Sequence, residues 1–171
     1  TYALEPAELV LPATPGGRAP RLLTEAIEVE ARPLPDPVPG DFSGGVGEFA
    51  MRVEPPGQEL PAGESARLRV RLSGRGDLRT LTTPPKVTAT GARVYEPTVT
   101  DVVDVVDGRL GGARTFEYVL SASSAGTYAV VVSPCVTFSP VLGDYRRTDA
   151  RRFTFVVTEP RVAADGVPTA R

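Results

Sequence analysis

The chain has 171 residues, a net charge of −2, no histidine and one cysteine. The missing histidine excludes Ser-His-Asp and Cys-His catalysis and His-ligated zinc, and a lone Cys135 excludes an intrachain disulfide or a cysteine-cluster metal site. The near-neutral charge gives no field for steering toward nucleic acid or an anionic membrane, while 17 glycines and 18 prolines suit many short strands joined by turns.

Residues 1–32 read as strands. Leu9 and Leu11 alternate with Val10, and Ile27, Val29 and Ala31 alternate with Glu28 and Glu30, with a polar connection over Pro12–Pro20. Two strands cannot bury a core alone. They either pair with the domain after them or close a preceding β-domain, and the proline-rich segment at 33–42 favours the second. Strand exchange into another copy is a further way to bury them. The chain opens at Thr1 without the basic-then-apolar start of a signal peptide, so it reads as a fragment, with any membrane anchor outside it.

Residues 33–42 read as a linker. From Arg32 to Gly40 a proline stands at every second position, a pattern that favours extended polyproline backbone and a semi-rigid spacer.

Residues 43–158 read as the main domain. Val46–Val53 turns Phe49, Met51 and Val53 inward. Ala66–Leu72 turns Leu68, Val70 and Leu72 inward and Arg67, Arg69 and Arg71 outward. Shorter strands are expected at Leu78–Leu81, Lys86–Thr88, Arg93–Tyr95 and Val99–Val106. Thr115–Leu120 and Thr127–Val132 then alternate strongly. Phe116, Tyr118 and Leu120 share one face and Tyr128, Val130 and Val132 answer them, which predicts an antiparallel hairpin turned by Ser121–Gly126. Its second strand is expected to run on through Val136 and Phe138, with Pro134 at a bulge or edge. Arg152–Val157 is the last strand, and residues 159–171 form a polar tail. About seven short strands with turn signals every 8–12 residues, and no helix, predict an all-β, immunoglobulin-like antiparallel sandwich. The closing strands in residues 1–32 are then those of a neighbour of the same kind.

Candidate chemistry is sparse. Arg67, Arg69 and Arg71 form a basic stripe that suits an anionic partner, although the solvated face of an amphipathic strand is the simpler reading. Arg75-Gly76-Asp77 spells a tripeptide used by integrin ligands and also reads as a plain turn. Asp101, Asp104 and Asp107 recur every three residues, but not at the spacing of an EF-hand loop. Cys135, between Pro134 and Val136, reads as a small apolar residue. No residue pattern supports an enzyme, and no cofactor is expected.

Several blocks resemble the BatD (aerotolerance, or oxygen-tolerance) family of bacterial envelope proteins. Ile27–Pro35 is similar to the strand-plus-"PLP" exit of one immunoglobulin-like repeat, and Phe42-Ser43-Gly44-Gly45-Val46-Gly47-Glu48-Phe49 to the opening of the next. Leu72-Ser73-Gly74-Arg75-Gly76-Asp77-Leu78 resembles the family's "SGxGNL" turn, with Asp77 where asparagine is usual. Thr115–Leu120, Ala125–Tyr128 and Val136–Pro140 with Tyr145 resemble its last strands. Ser139–Gly143 departs from the pattern, which has a Phe-Asp-Pro turn there. The resemblance spans about residues 22–158. It implies tandem repeats outside the cytoplasmic membrane, membrane anchorage, no catalytic residues, and partnership with von Willebrand A-type Bat proteins and a MoxR-type ATPase. The expected function is a non-enzymatic protein-interaction module. A carbohydrate-recognition or adhesin module of a surface protein is the alternative.

Overall fold

The computed structural model of the chain describes residues 1–12, 19–57 and 59–159. Part of the Pro12–Pro20 connection and the tail after Glu159 lie outside the described residues. The chain divides into two compact units, Thr1–Leu34 and Pro35–Arg171.

In the first unit, β1 (Tyr2–Leu4) pairs with β4 (Ile27–Val29), and β2 (Glu8–Val10) with β3 (Arg21–Leu23), both antiparallel. Ala3 faces Glu28 and Leu9 faces Leu22, so both ladders keep one register: the unit is a single ribbon, interrupted around Pro6. Proline has no N–H for a ladder. Across the break, Thr24 N–H donates to the Ala7 carbonyl at 3.0 Å, and Ala7 N–H to Thr24 Oγ1 at 2.9 Å. Tyr2–Leu4 and Arg21–Leu23 are strands that alternation in the sequence does not reveal.

In the second unit the strands are β5 (Phe42–Glu54), β6 (Glu59–Pro61), β7 (Ser65–Gly76), β8 (Val87–Ala89), β9 (Arg93–Val94) and β10 (Thr98–Val106), then β11 (Arg109–Ser121), β12 (Gly126–Val132), β13 (Val136–Ser139), β14 (Asp144–Arg147) and β15 (Arg151–Thr158). One sheet has the order β10-β11-β7-β5-β13-β14, with β9 also on β11; the other has the order β6-β15-β12-β8. They form an immunoglobulin-like β-sandwich. Leu68, Val70 and Leu72 of β7 and Phe116, Tyr118 and Leu120 of β11 supply one side of its core. Val130, Val132, Phe155 and Val157 supply the other, and Tyr128 stacks on Phe155 with ring centroids 5.4 Å apart. The period of two therefore assigns faces correctly, and the burial of these side chains is what holds the sheets together.

Three expectations are corrected. Thr115–Leu120 and Thr127–Val132 do not pair. Thr115–Leu120 lies in β11, between β7 on one side and β10 and β9 on the other, so both its edges are filled; β12 pairs instead with β15 and β8 in the facing sheet. Ser121–Gly126 is thus an arch between sheets. Nor does β12 run on to Phe138. Across Ser133–Cys135 the chain returns to the first sheet, where β13 lies parallel to β5. Lastly, Leu78–Thr80 is a 3-10 turn and not a strand. Asp77 caps it by accepting the Arg79 N–H, and the Arg114 guanidinium donates to the carbonyls of Leu78 at 2.6 Å and Leu81 at 3.1 Å.

The approach of β5 to β7 requires glycine. Gly47 faces Gly76 in the ladder. A Cβ on Gly74 would lie 1.8 Å from the Glu48 carbonyl oxygen, and one on Gly47 2.1 Å from that of Arg75.

Candidate interaction face

Because the even-numbered residues of β7 from Ala66 to Leu72 fill the core, Arg67, Arg69 and Arg71 stand on the outer surface of the seven-stranded sheet. The register sets their neighbours. Thr98, Glu117, Arg69 and Glu54 lie side by side across β10, β11, β7 and β5, and the next row is Thr100, Thr115, Arg71 and Arg52. All of these residues except Arg52 line an open groove of about 390 Å3.

The three arginines are not equivalent. Arg69 Nε donates to Glu117 Oε2 at 2.7 Å, and Arg67 Nη1 lies 3.5 Å from Glu117 Oε1. The hydrogen bond from Arg69 holds the Glu117 carboxyl below its ordinary value, with the charges of Arg69 and then Arg67 adding to it. Arg52 reaches Glu54 only loosely, at 3.8 Å. Arg71 makes no ion pair among the described residues, and it faces Arg52 directly across the ladder. Like charges opposite each other destabilise a sheet. A carboxylate seated over Arg71 and Arg52, within reach of the Thr100 and Thr115 hydroxyls, relieves that repulsion and gains charge-assisted hydrogen bonds. Sequence reasoning finds the arginines and misses Arg52, Glu54, Glu117 and the threonines. Those sit on other strands, and only the register brings them alongside.

The other motifs lead elsewhere. Arg75 and Gly76 belong to β7, not to a turn, and the charges of the tripeptide are engaged within the fold: Arg75 pairs with Asp107, while both Asp77 carboxylate oxygens bind the Arg79 guanidinium at 2.9 Å. The three aspartates do not converge. Asp101 lies 3.2 Å from Arg114 Nε, Asp104 accepts the Val105 N–H, and Asp107 sits in the turn after β10. Cys135 is buried beside a cavity of about 290 Å3 that also meets Asp41, Ser43 and Lys86; burial pushes its thiol pKa up, opposite to the activation a reactive thiol needs. Phe116 and Tyr118 are core residues, and the Tyr118 hydroxyl donates to the Pro85 carbonyl.

A family model described as the BatD DUF11 like domain matches residues 53–157. The chain belongs to the BatD family. No curated protein matches the sequence. BatD proteins are associated with the cell envelope. In the second unit, three of the blocks that carry the resemblance pack on one another. Leu72–Leu78 pairs with Phe42–Phe49 at Gly76 and Gly47, and Val136–Ser139 runs parallel to Phe42–Val46. Tyr145 meets Phe42 and Phe138 edge-on, with centroids 5.4 Å apart in both pairs. Where the Phe-Asp-Pro turn is absent, the chain turns through Gly143, whose N–H donates to the Ser139 carbonyl at 2.8 Å. Of these blocks, Thr115–Leu120 alone reaches the outer groove, through Thr115 and Glu117.

Proposed function

We propose that this chain is a non-enzymatic, extracytoplasmic interaction module of a Bat-family envelope protein, and that it docks other envelope proteins through the outer face of the seven-stranded sheet. The observation that carries this reading is the arrangement around Arg71: a guanidinium without an ion pair among the described residues, opposite Arg52 in a threonine-lined groove. Arginine presents a planar fork suited to carboxylates. The partner surface is therefore acidic, and the von Willebrand A-type Bat proteins, with the MoxR-type ATPase behind them in a stress or aerotolerance complex, are the first candidates. The alternative of a carbohydrate module fares worse. Phe116 and Tyr118 are buried in the core, and Asp101 and Asp107 pair with different arginines.

The test is the affinity of the purified chain for A-domain Bat proteins encoded in the same genome, with Arg71→Glu and Arg52→Glu compared. Both substitutions are expected to weaken binding about tenfold or more, as loss of a charge-assisted contact does. Unchanged affinity in both variants overturns the face. Absence of binding by the unaltered chain overturns the choice of partner.

A further inference from the structure

The two sheets present four outer edges, and three are short. β14 has four residues, three of them charged (Asp144, Arg146 and Arg147). β6 has three and ends at Pro61, and β8 has three and follows Pro84-Pro85-Lys86. Short, charged or proline-bounded edges are how folded proteins prevent unwanted strand addition. β10 is built differently. It runs for nine residues, Thr98–Val106, all threonine or valine except Asp101 and Asp104, with no Pro, Gly or Lys. It is hydrogen-bonded to β11 on one side, and no strand among the described residues lies on its other side. Every side chain from Thr98 to Val105 is exposed.

The side chains define what this edge would accept. On the inner face Val103, Val105 and, from β11, Leu110 are all exposed; Val103 and Leu110 border a cleft of about 180 Å3 that also meets Leu78. On the outer face stands Asp104. Asp101 is held by Arg114 and Asp107 by Arg75, whereas among the described residues the Asp104 carboxylate accepts only the N–H of the next residue. A strand laid along β10 therefore meets Val99, Val103 and Val105 beside the Arg114-paired Asp101 on one face, and Val102 with the Asp104 carboxylate on the other.

We propose that β10 accepts an extended segment of another protein as an additional strand of the seven-stranded sheet, with apolar side chains over Val103 and Val105 and a Lys or Arg beside Asp104. This is strand addition, in which main-chain hydrogen bonds supply affinity and alternate side chains supply specificity. A second copy of β10 fits less well, because β10 has no basic residue to set against Asp104. The surface is distinct from the Arg71 groove and stands or falls separately.

The experiment uses the intact chain and a labelled nonapeptide of alternating valine and lysine. Saturable binding is expected, with hydrogen-exchange protection centred on Thr98–Val106. Val103→Lys should weaken binding about tenfold, as a charge displaces an apolar contact. Asp104→Lys should weaken it about fivefold, in the range of a reversed cross-strand charge pair. The same peptide N-methylated at alternate amides should not bind. Val105→Lys replaces Val103→Lys if the latter shows an altered melting curve. Equal binding of the methylated peptide, or protection lying elsewhere, overturns the proposal. So does protection of β10 without peptide, accompanied by dimers in sedimentation, which makes the occupant a second copy.

Discussion

β11 leaves its sheet at its two ends in opposite ways. At its start, the Asp107-Gly108 turn connects it to β10, and the two strands pair from Thr98 opposite Glu117 to Val106 opposite Arg109. At its end, Ser121–Gly126 carries the chain away to β12 in the facing sheet. Thr115–Leu120 and Thr127–Val132 both alternate apolar and polar residues and yet do not pair, so alternation does not separate a neighbour in the sheet from a neighbour across the core. Turn chemistry does. Asp107 and Gly108 both have positive φ, 49° and 72°, the two-residue geometry that matches strand twist. The six-residue Ser121–Gly126 segment has no such pair, and at that end β11 already has partners on both sides.

The largest test concerns what the two ends share, the inward face of β11. Phe116 is 1% exposed within the central cluster, whereas Val119 is half-buried on the opposite face. Phe116→Ala should cost about 3–5 kcal/mol, the usual range for a large core side chain. Val119→Ala should stay within about 1 kcal/mol, as expected of a substitution away from the core. Urea unfolding of the two variants checks the pair. Equal losses would break the assignment of faces on which the comparison rests.

The two ends themselves can be set against each other. A Cβ on Gly108 has nothing within 4 Å, so Gly108→Val is penalised through its φ of 72° and not by contact. A non-glycine held in that region costs about 1–3 kcal/mol, with a β-branched residue toward the upper end. Inserting Gly-Ser between Ser123 and Ser124 lengthens an exposed arch and should cost no more than about 0.6 kcal/mol. The same insertion after Asp107 should cost far more, because it disrupts the tight turn that sets the register with β10. Thermal melts rank the three. Tolerance at Asp107 with damage at Ser123 would invert the account.

The same contrast explains how much is legible in the sequence. Inward and outward residues of β5, β7, β11, β12 and β15 follow from a period of two, and they follow correctly, because burial depends only on which way a side chain points. Strand partners depend on which edges remain open, a property of the whole sheet. The Asp107-Gly108 signal is present in the sequence, but its setting reads as a row of aspartates, and the strongest aromatic alternation draws the hairpin to Thr115–Val132 instead. Leu78–Thr80 escapes for a local reason: Leu78 and Leu81 are apolar enough for a strand, yet Asp77 and Arg114 satisfy the polar groups of a 3-10 turn. At the candidate face, Arg67, Arg69 and Arg71 are visible as a stripe. That Glu117 occupies two of them while Arg52 faces the third depends on cross-strand register, which no local pattern encodes.

The smallest effect separates the two faces of β11 by pH. Tyr118 points inward, where burial raises its pKa above the ordinary 10.0. A raised pKa means the folded state prefers the neutral phenol. That contribution is fully present below the unfolded value and is lost as pH rises toward the folded one. Glu117 points outward, and the hydrogen bond from Arg69 lowers its pKa from 4.5. Its contribution is present above 4.5 and is lost as pH falls through the folded value, and for so accessible a pair it should stay below about 1 kcal/mol. Asp41 and Asp77 are lowered in the same way by Arg147 and Arg79, so acid destabilisation alone does not isolate Glu117. Glu117→Gln should flatten only its own share of the acid limb and leave the alkaline limb intact. Burial raises Cys135 and Tyr145 as well, so Tyr118→Phe should flatten only its own share of the alkaline limb, at a cost of about 1 kcal/mol near neutrality for the hydrogen bond lost to the Pro85 carbonyl. Urea unfolding across pH reads both limbs. If Glu117→Gln altered the alkaline limb, the two faces of β11 would be coupled through the strand rather than insulated by the packed core.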